Sequence, residues 1–119
     1  MERAVLGGVF FRAKDPKALA EWYRANLGLP LEAGQTYAPF QSEGADEMTV
    51  WSTFPIDTKY FGTSQPFMVN YRVKNLDAML AQLRAAGAKV DDKVEDYDYG
   101  RFAWATDPEA NRFELWQPK

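Results

Sequence analysis

The chain repeats itself. Shifted by 60 positions, Val9-Phe10-Phe11-Arg12-Ala13-Lys14-Asp15 lies over Val69-Asn70-Tyr71-Arg72-Val73-Lys74-Asn75, and Ala18 and Arg24 lie over Ala78 and Arg84. This duplication limits the possible folds. A half of about 60 residues can bury only one face of a small sheet, so two halves must pack together, within a chain or between chains.

Each copy carries the same local signals. Residues 4–13 alternate as a strand, with Val9, Phe11 and Ala13 on one face and Gly8, Phe10 and Arg12 on the other. Asp15 then caps a helix with Pro16 at its first position, Leu19, Trp22, Tyr23 and Leu27 fall at helical spacing, and Gly28 stops it, which predicts a helix over 15–27. Tyr37 and Phe40 sit among Gly, Pro and polar residues in 31–47, a pattern for two short, irregular strands, and 48–52 form a better strand. Residues 53–66 read as a linker, which either crosses between units or covers something.

The second copy opens with alternation over 67–73. Asn75 caps a helix predicted to reach residue 86, with an apolar stripe of Leu76, Met79, Leu80 and Leu83, and Gly87 ends it. A short strand near Lys89 and Val90, an acidic loop carrying Tyr97 and Tyr99, and a strand over 101–106 follow. Asp107-Pro108-Glu109-Ala110-Asn111 is turn chemistry: Pro fixes φ, and Asp and Asn bond locally to the main chain. In the last strand Phe113 and Leu115 take one face, and Arg112, Glu114 and Trp116 the other; Met48-Thr49-Val50-Trp51 echoes Phe113-Glu114-Leu115-Trp116. The expected architecture is α+β: one domain over 1–119 made of two βαβββ modules, module 1 about 1–52 and module 2 about 67–119, joined by the 53–66 linker.

Composition narrows the chemistry. The chain has no His and no Cys, so it holds no Ser-His-Asp triad, no imidazole base, no thiolate metal site and no disulfide. Acid–base work would fall to Glu, Asp, Tyr or Lys. A net charge of −3 without a basic block argues against nucleic acid and anionic membranes as partners. Aromatic residues at 15% are numerous enough to line a pocket or an interface. No signal peptide and no apolar run of about 18 residues is seen, so the expectation is a soluble, cytoplasmic protein.

Three stretches resemble the vicinal oxygen chelate superfamily of glyoxalases, bleomycin-resistance proteins and extradiol dioxygenases. They are Phe11-Arg12-Ala13-Lys14-Asp15-Pro16 with Trp22-Tyr23 and Leu27-Gly28-Leu29, Tyr71-Arg72-Val73 with Leu83-Arg84-Ala85-Ala86-Gly87, and Asp107 through Trp116. The resemblance implies two modules whose curved mixed sheets surround a cavity, with helices on the outer faces, and commonly a homodimer. Ala110 departs from it, because the family usually has Gly there; a positive φ at Ala110 would store on the order of 1 kcal/mol of strain.

Combined with the alternation, the resemblance assigns Gly8, Phe10, Arg12, Met68, Asn70 and Arg72 to the cavity side, joined by Thr49, Trp51, Glu114 and Trp116. Trp104 joins them unless a one-residue slip turns it under the helix. Metal-dependent members place one ligand on the first and one on the last strand of each module, positions that are here Gly8, Thr49, Met68 and Glu114. Only Glu114 is a competent ligand. Glu47 shares a face with Thr49 but lies about 7 Å along the strand, so neither a bound metal nor another cofactor is expected.

Two employments of these residues stay open. Glu114 pairs with Arg12 or Arg72 while the aromatics fill a core; alternatively, Trp51, Trp104 and Trp116 stack on a small apolar or aromatic molecule whose anionic group Arg12 and Arg72 hold. Phe54, Tyr60 and Phe61 of the linker either form a lid or anchor the linker. At the level of function, the alternatives are a metal-free binding protein and an enzyme using Glu114 as general base.

Overall fold

The computed structural model describes residues 1–41, 48–62 and 64–119; Glu47 and the end of the irregular 31–47 stretch lie outside them. Among the described residues, eight strands and two helices make a mixed α+β fold. The chain divides into two compact units, an N-terminal one of Gly8–Phe67 and a C-terminal one in which Met1–Gly7 joins Met68–Lys119.

The N-terminal unit contains most of β1 (Ala4–Ala13), then α1 (Pro16–Leu27), β2 (Tyr37–Gln41) and β3 (Met48–Pro55). Asp15 accepts the Ala18 N–H through its side chain, Pro16 occupies the first turn, and Gly28 closes the helix at φ 68°, its N–H bonded to the Arg24 carbonyl. β3 runs parallel to β1 and antiparallel to β2. The expected linker starts too early: β3 continues to Pro55, because Thr53, Phe54 and Pro55 are registered opposite Phe11, Arg12 and Ala13. The connecting segment is therefore 56–66. Ala20, Leu31 and Ala38 form a small core with Leu29 and Trp51 packed on it.

In the C-terminal unit β4 (Phe67–Val73), α2 (Leu76–Ala85), β5 (Lys89–Val90), β6 (Glu95–Tyr97), β7 (Gly100–Thr106) and β8 (Arg112–Pro118) follow in order. The strands lie β4-β8-β7-β5, with β6 also on β7. The β4/β8 pair is parallel and the pairs made by β7 are antiparallel. Asn75 caps α2 by accepting the Ala78 N–H. Glu2 accepts the Lys74 and Asn75 N–H groups, which ties the first residues to this unit. Val73, Leu76, Met79, Leu80, Ala103 and Leu115 form the core between sheet and helix, with Tyr71 and Phe113 against it.

The two copies are unequal. After the helix the C-terminal unit has four strands, two of them only two and three residues long, whereas the N-terminal unit shows two among the described residues.

Candidate functional site

β4, β8 and β7 fix the geometry of the C-terminal unit. Asn70 stands opposite Glu114 and Arg72 opposite Trp116 in the parallel pair; Trp104 stands opposite Glu114 and Phe102 opposite Trp116 in the antiparallel pair. Cross-strand partners share a face. The face away from α2 therefore carries Met68, Asn70 and Arg72, then Glu114 and Trp116, then Phe102 and Trp104. All the site residues expected in the second copy are on it, Trp104 included.

Glu114 is at its centre and is only 2% exposed. Both of its oxygens are held: Oε1 accepts from Asn70 Nδ2 at 2.6 Å and Oε2 from Trp104 Nε1 at 3.1 Å. Two neutral donors on two different strands thus fix the carboxylate plane. Arg112, also on this side of β8, lies over the Trp104 ring at 5.5 Å and bonds Asp91 at 2.6 Å.

Two buried polar atoms of this face have no hydrogen-bond partner: Asn70 Oδ1 and Trp116 Nε1. Each lies against a glycine. A Cβ on Gly7 would fall 1.9 Å from Asn70 Oδ1, and one on Gly100 would fall 2.4 Å from Trp116 Nε1. The two glycines make room for an amide and an indole that a larger residue would displace. Beyond Trp116 the aromatic face continues outward. Phe102 lies parallel to Trp116 at 6.1 Å, and Tyr97 and Tyr99 stack on each other at 5.3 Å and meet Phe102 edge-on. The Tyr97 hydroxyl donates to Glu95. That hydrogen bond, then burial and neighbouring negative charge that includes Glu114, holds its phenol above the usual tyrosine range.

The N-terminal unit is built differently at the equivalent positions. Phe10 stands opposite Ser52 as Asn70 stands opposite Glu114, so Ser52, not Thr49, holds the register of the carboxylate. The sequence echo misaligns the last strand of this copy by three residues because β3 runs further than the apolar pattern indicates. Thr49 and Trp51 consequently belong to the other face. Trp51 packs on Tyr23 of α1 at 4.9 Å and on Phe11 at 5.7 Å, so it is a core residue and not a partner of Phe10. Phe10 meets Phe54 at 5.1 Å, and Phe54 stacks on Tyr60 and meets Phe61 edge-on.

Arg12, expected on an anionic ligand, instead grips the connecting segment. Its Nε donates to the Gln65 carbonyl at 3.1 Å, Nη1 to Ile56 at 2.6 Å and Thr58 at 3.0 Å, and Nη2 to Gly62 at 2.8 Å and Phe61 at 3.4 Å. The guanidinium also lies 4.8 Å from the Phe61 ring. Phe54, Tyr60 and Phe61 anchor this segment, and Phe61 is 2% exposed.

A family model described as glyoxalase-like domain matches residues 8–116. No curated protein matches the sequence. Among solved structures, the chain is similar to a methylmalonyl-CoA epimerase from Mycobacterium tuberculosis, at 20% identity and TM-score 0.65, over 96% of this chain and 87% of that one. It is similar to a single-residue variant of the Streptomyces coelicolor methylmalonyl-CoA epimerase in complex with 2-nitronate-propionyl-CoA, at 15% identity and TM-score 0.71, over 96% and 94%. A Legionella pneumophila structure named NAD-dependent benzaldehyde dehydrogenase matches at 18% identity and TM-score 0.65, over 94% and 98%. At these identities the likeness is one of fold.

Proposed function

The chain belongs to the glyoxalase-like domain family of the vicinal oxygen chelate superfamily, and from that premise we propose that it is a metal-independent member that binds a small, largely aromatic molecule against the Glu114 face of its C-terminal unit. The observation that carries this reading is the state of that face. Glu114 is fixed by Asn70 and Trp104, while the Asn70 carbonyl oxygen and the Trp116 N–H are buried without partners. Buried polar groups are paired in nearly all folded proteins, so two unpaired ones on a face lined by aromatic rings argue for an occupant.

The superfamily implies a divalent metal, and the donor set does not fit one. By strand register the positions are Gly8, Ser52, Met68 and Glu114: one carboxylate, one hydroxyl, one thioether and no side chain. Hard or borderline cations need about three or more convergent oxygen or nitrogen donors. Among the described residues no three acidic side chains are grouped to supply them.

A second reading has its own support. A carboxylate held in one plane by two neutral donors is also the arrangement of a general base, and epimerases are among the structural relatives. The two readings separate by experiment. A thermal-shift screen of small aromatic molecules should find compounds that stabilise the purified chain by mass action, in the presence of a chelator as well as without it. Stabilisation that needs added metal, or about one transition metal per chain that is lost on Glu114→Ala, would overturn the metal-independent reading. Turnover of a bound compound that disappears in Glu114→Gln, with binding retained, would make the protein an enzyme.

A further inference from the structure

Resting on the small-molecule reading above, the geometry points to a chemical class of ligand: a flat aromatic molecule bearing a hydrogen-bond-accepting oxygen, its ring laid on the Tyr97–Tyr99–Phe102 surface and its oxygen taking the indole N–H of Trp116.

The indole comes first. Nε1 of Trp116 can only donate, it is buried, and it has no partner. Whatever completes it must accept, which excludes an ammonium or guanidinium at that point. The surroundings explain why the chain itself does not complete it. Gly100, at the start of β7, leaves open the position 2.4 Å from Nε1 where any other side chain would begin. The missing Cβ lets the indole edge lie against the hairpin.

The rings come second. Phe102 and Trp116 are parallel to within 2°, and Tyr97 and Tyr99 to within 3°. The first pair is largely inside the protein, whereas Tyr97 is 41% and Tyr99 64% exposed. A stacked pair of tyrosines that meets the buried Phe102–Trp116 pair edge-on offers an aromatic ring a contact surface beside the residue that carries the unpartnered donor.

The test uses the full chain, labelled with nitrogen-15. Four tryptophans give four indole N–H signals, and Trp116→Phe identifies the one that matters while keeping a ring in place. The probes are 2-naphthoate, 2-naphthamide and 2-naphthylmethylammonium. The expected result is a saturable downfield shift of the Trp116 indole proton with the naphthoate or the naphthamide and none with the ammonium compound. Trp116→Phe should weaken that binding about fivefold or more, and Tyr99→Ala, a change at an exposed ring, about tenfold. Tighter binding of the carboxylate than of the amide assigns the oxygen as an anion; equal binding assigns it as a neutral acceptor, and both support the proposal.

No shift with either oxygen-bearing probe at millimolar concentration overturns it. So does equal binding of the ammonium compound, or a long-lived water at the indole N–H that persists when the probes are added. If other aromatic molecules bind and leave the Trp116 signal unmoved, this inference falls and the small-molecule reading stands. If no molecule in the thermal-shift screen binds, the wider reading falls with it.

Discussion

Replacing Arg12 by Met tests the most concentrated set of polar contacts in the N-terminal unit. The guanidinium donates to carbonyls of Ile56, Thr58, Phe61, Gly62 and Gln65, four of them at 3.1 Å or less. A hydrogen bond to a charged group contributes about 1.5–3 kcal/mol net, so four independent ones would give at least about 6 kcal/mol. They are not independent. All share one side chain, and Ile56 is 52% exposed, so its end of the segment recovers water when the donor leaves. Met also fills much of the Arg stem's volume against Phe61. The expected loss is therefore about 2–4 kcal/mol, which at roughly 4 °C per kcal/mol for a chain of this size lowers Tm by about 8–16 °C. Urea unfolding should show a reduced midpoint with an unchanged slope. Limited proteolysis should cut first within 56–66, where the released carbonyls lie. Arg12→Lys should recover less than half, because one ammonium cannot reach five carbonyls that a planar fork reaches together. A loss below about 0.5 kcal/mol, the ordinary size of a surface substitution, would refute the reasoning and return Arg12 to the role of a ligand contact.

Ala110 holds φ 69°, the one non-glycine positive φ among the described residues, so Ala110→Gly should raise stability by about 1 kcal/mol in the same urea assay; no gain would mean that the turn relaxes at no cost. Asp107 accepts the Glu109 and Asn111 main-chain N–H groups and the Asn111 amide, and the Asn111 bonds, main chain first, hold its carboxyl below the usual aspartate range. A depressed folded-state pKa gives stability that is present above the unfolded value, near pH 4, and lost as pH falls through the lower folded value. Asp107→Asn should accordingly flatten the acid limb of a stability–pH curve, and an unchanged limb would show that the turn contributes nothing there.

How far the sequence could be read depended on whether a signal was local or required a partner strand. Asp15 and Asn75 as caps, Gly28 and Gly87 as stops, and the faces of β4 and β8 are local, and each matches the structure to within a residue. The alternation that set Val73 and Leu115 toward the helix also set Asn70 and Glu114 together on the other side, because parallel neighbours in register share a face. β3 is the contrary case. Its apolar residues, Val50 and Trp51, suggest an end near Ser52, yet the strand continues through Thr53 and Phe54 because β1 offers it partners that no pattern within 48–55 records. A strand's length is partly a property of its neighbour, and for that reason Thr49 and Trp51 lie on the face opposite to the one their pattern suggests. Arg12 was equally opaque: its equivalence with Arg72 in the repeat is real, but the carbonyls it binds belong to a segment with no counterpart in the second copy. Gly7 and Gly100 carried a readable signal that alternation overlooks. A glycine inside or at the start of a strand marks a close approach, and here the atoms approaching are Asn70 Oδ1 and Trp116 Nε1, the two buried polar atoms left without partners. A divergent copy keeps the strands and caps that fold it, and its chemistry is written in the positions where the two copies differ: Ser52 against Glu114, Phe10 against Asn70, Phe54 against Trp116.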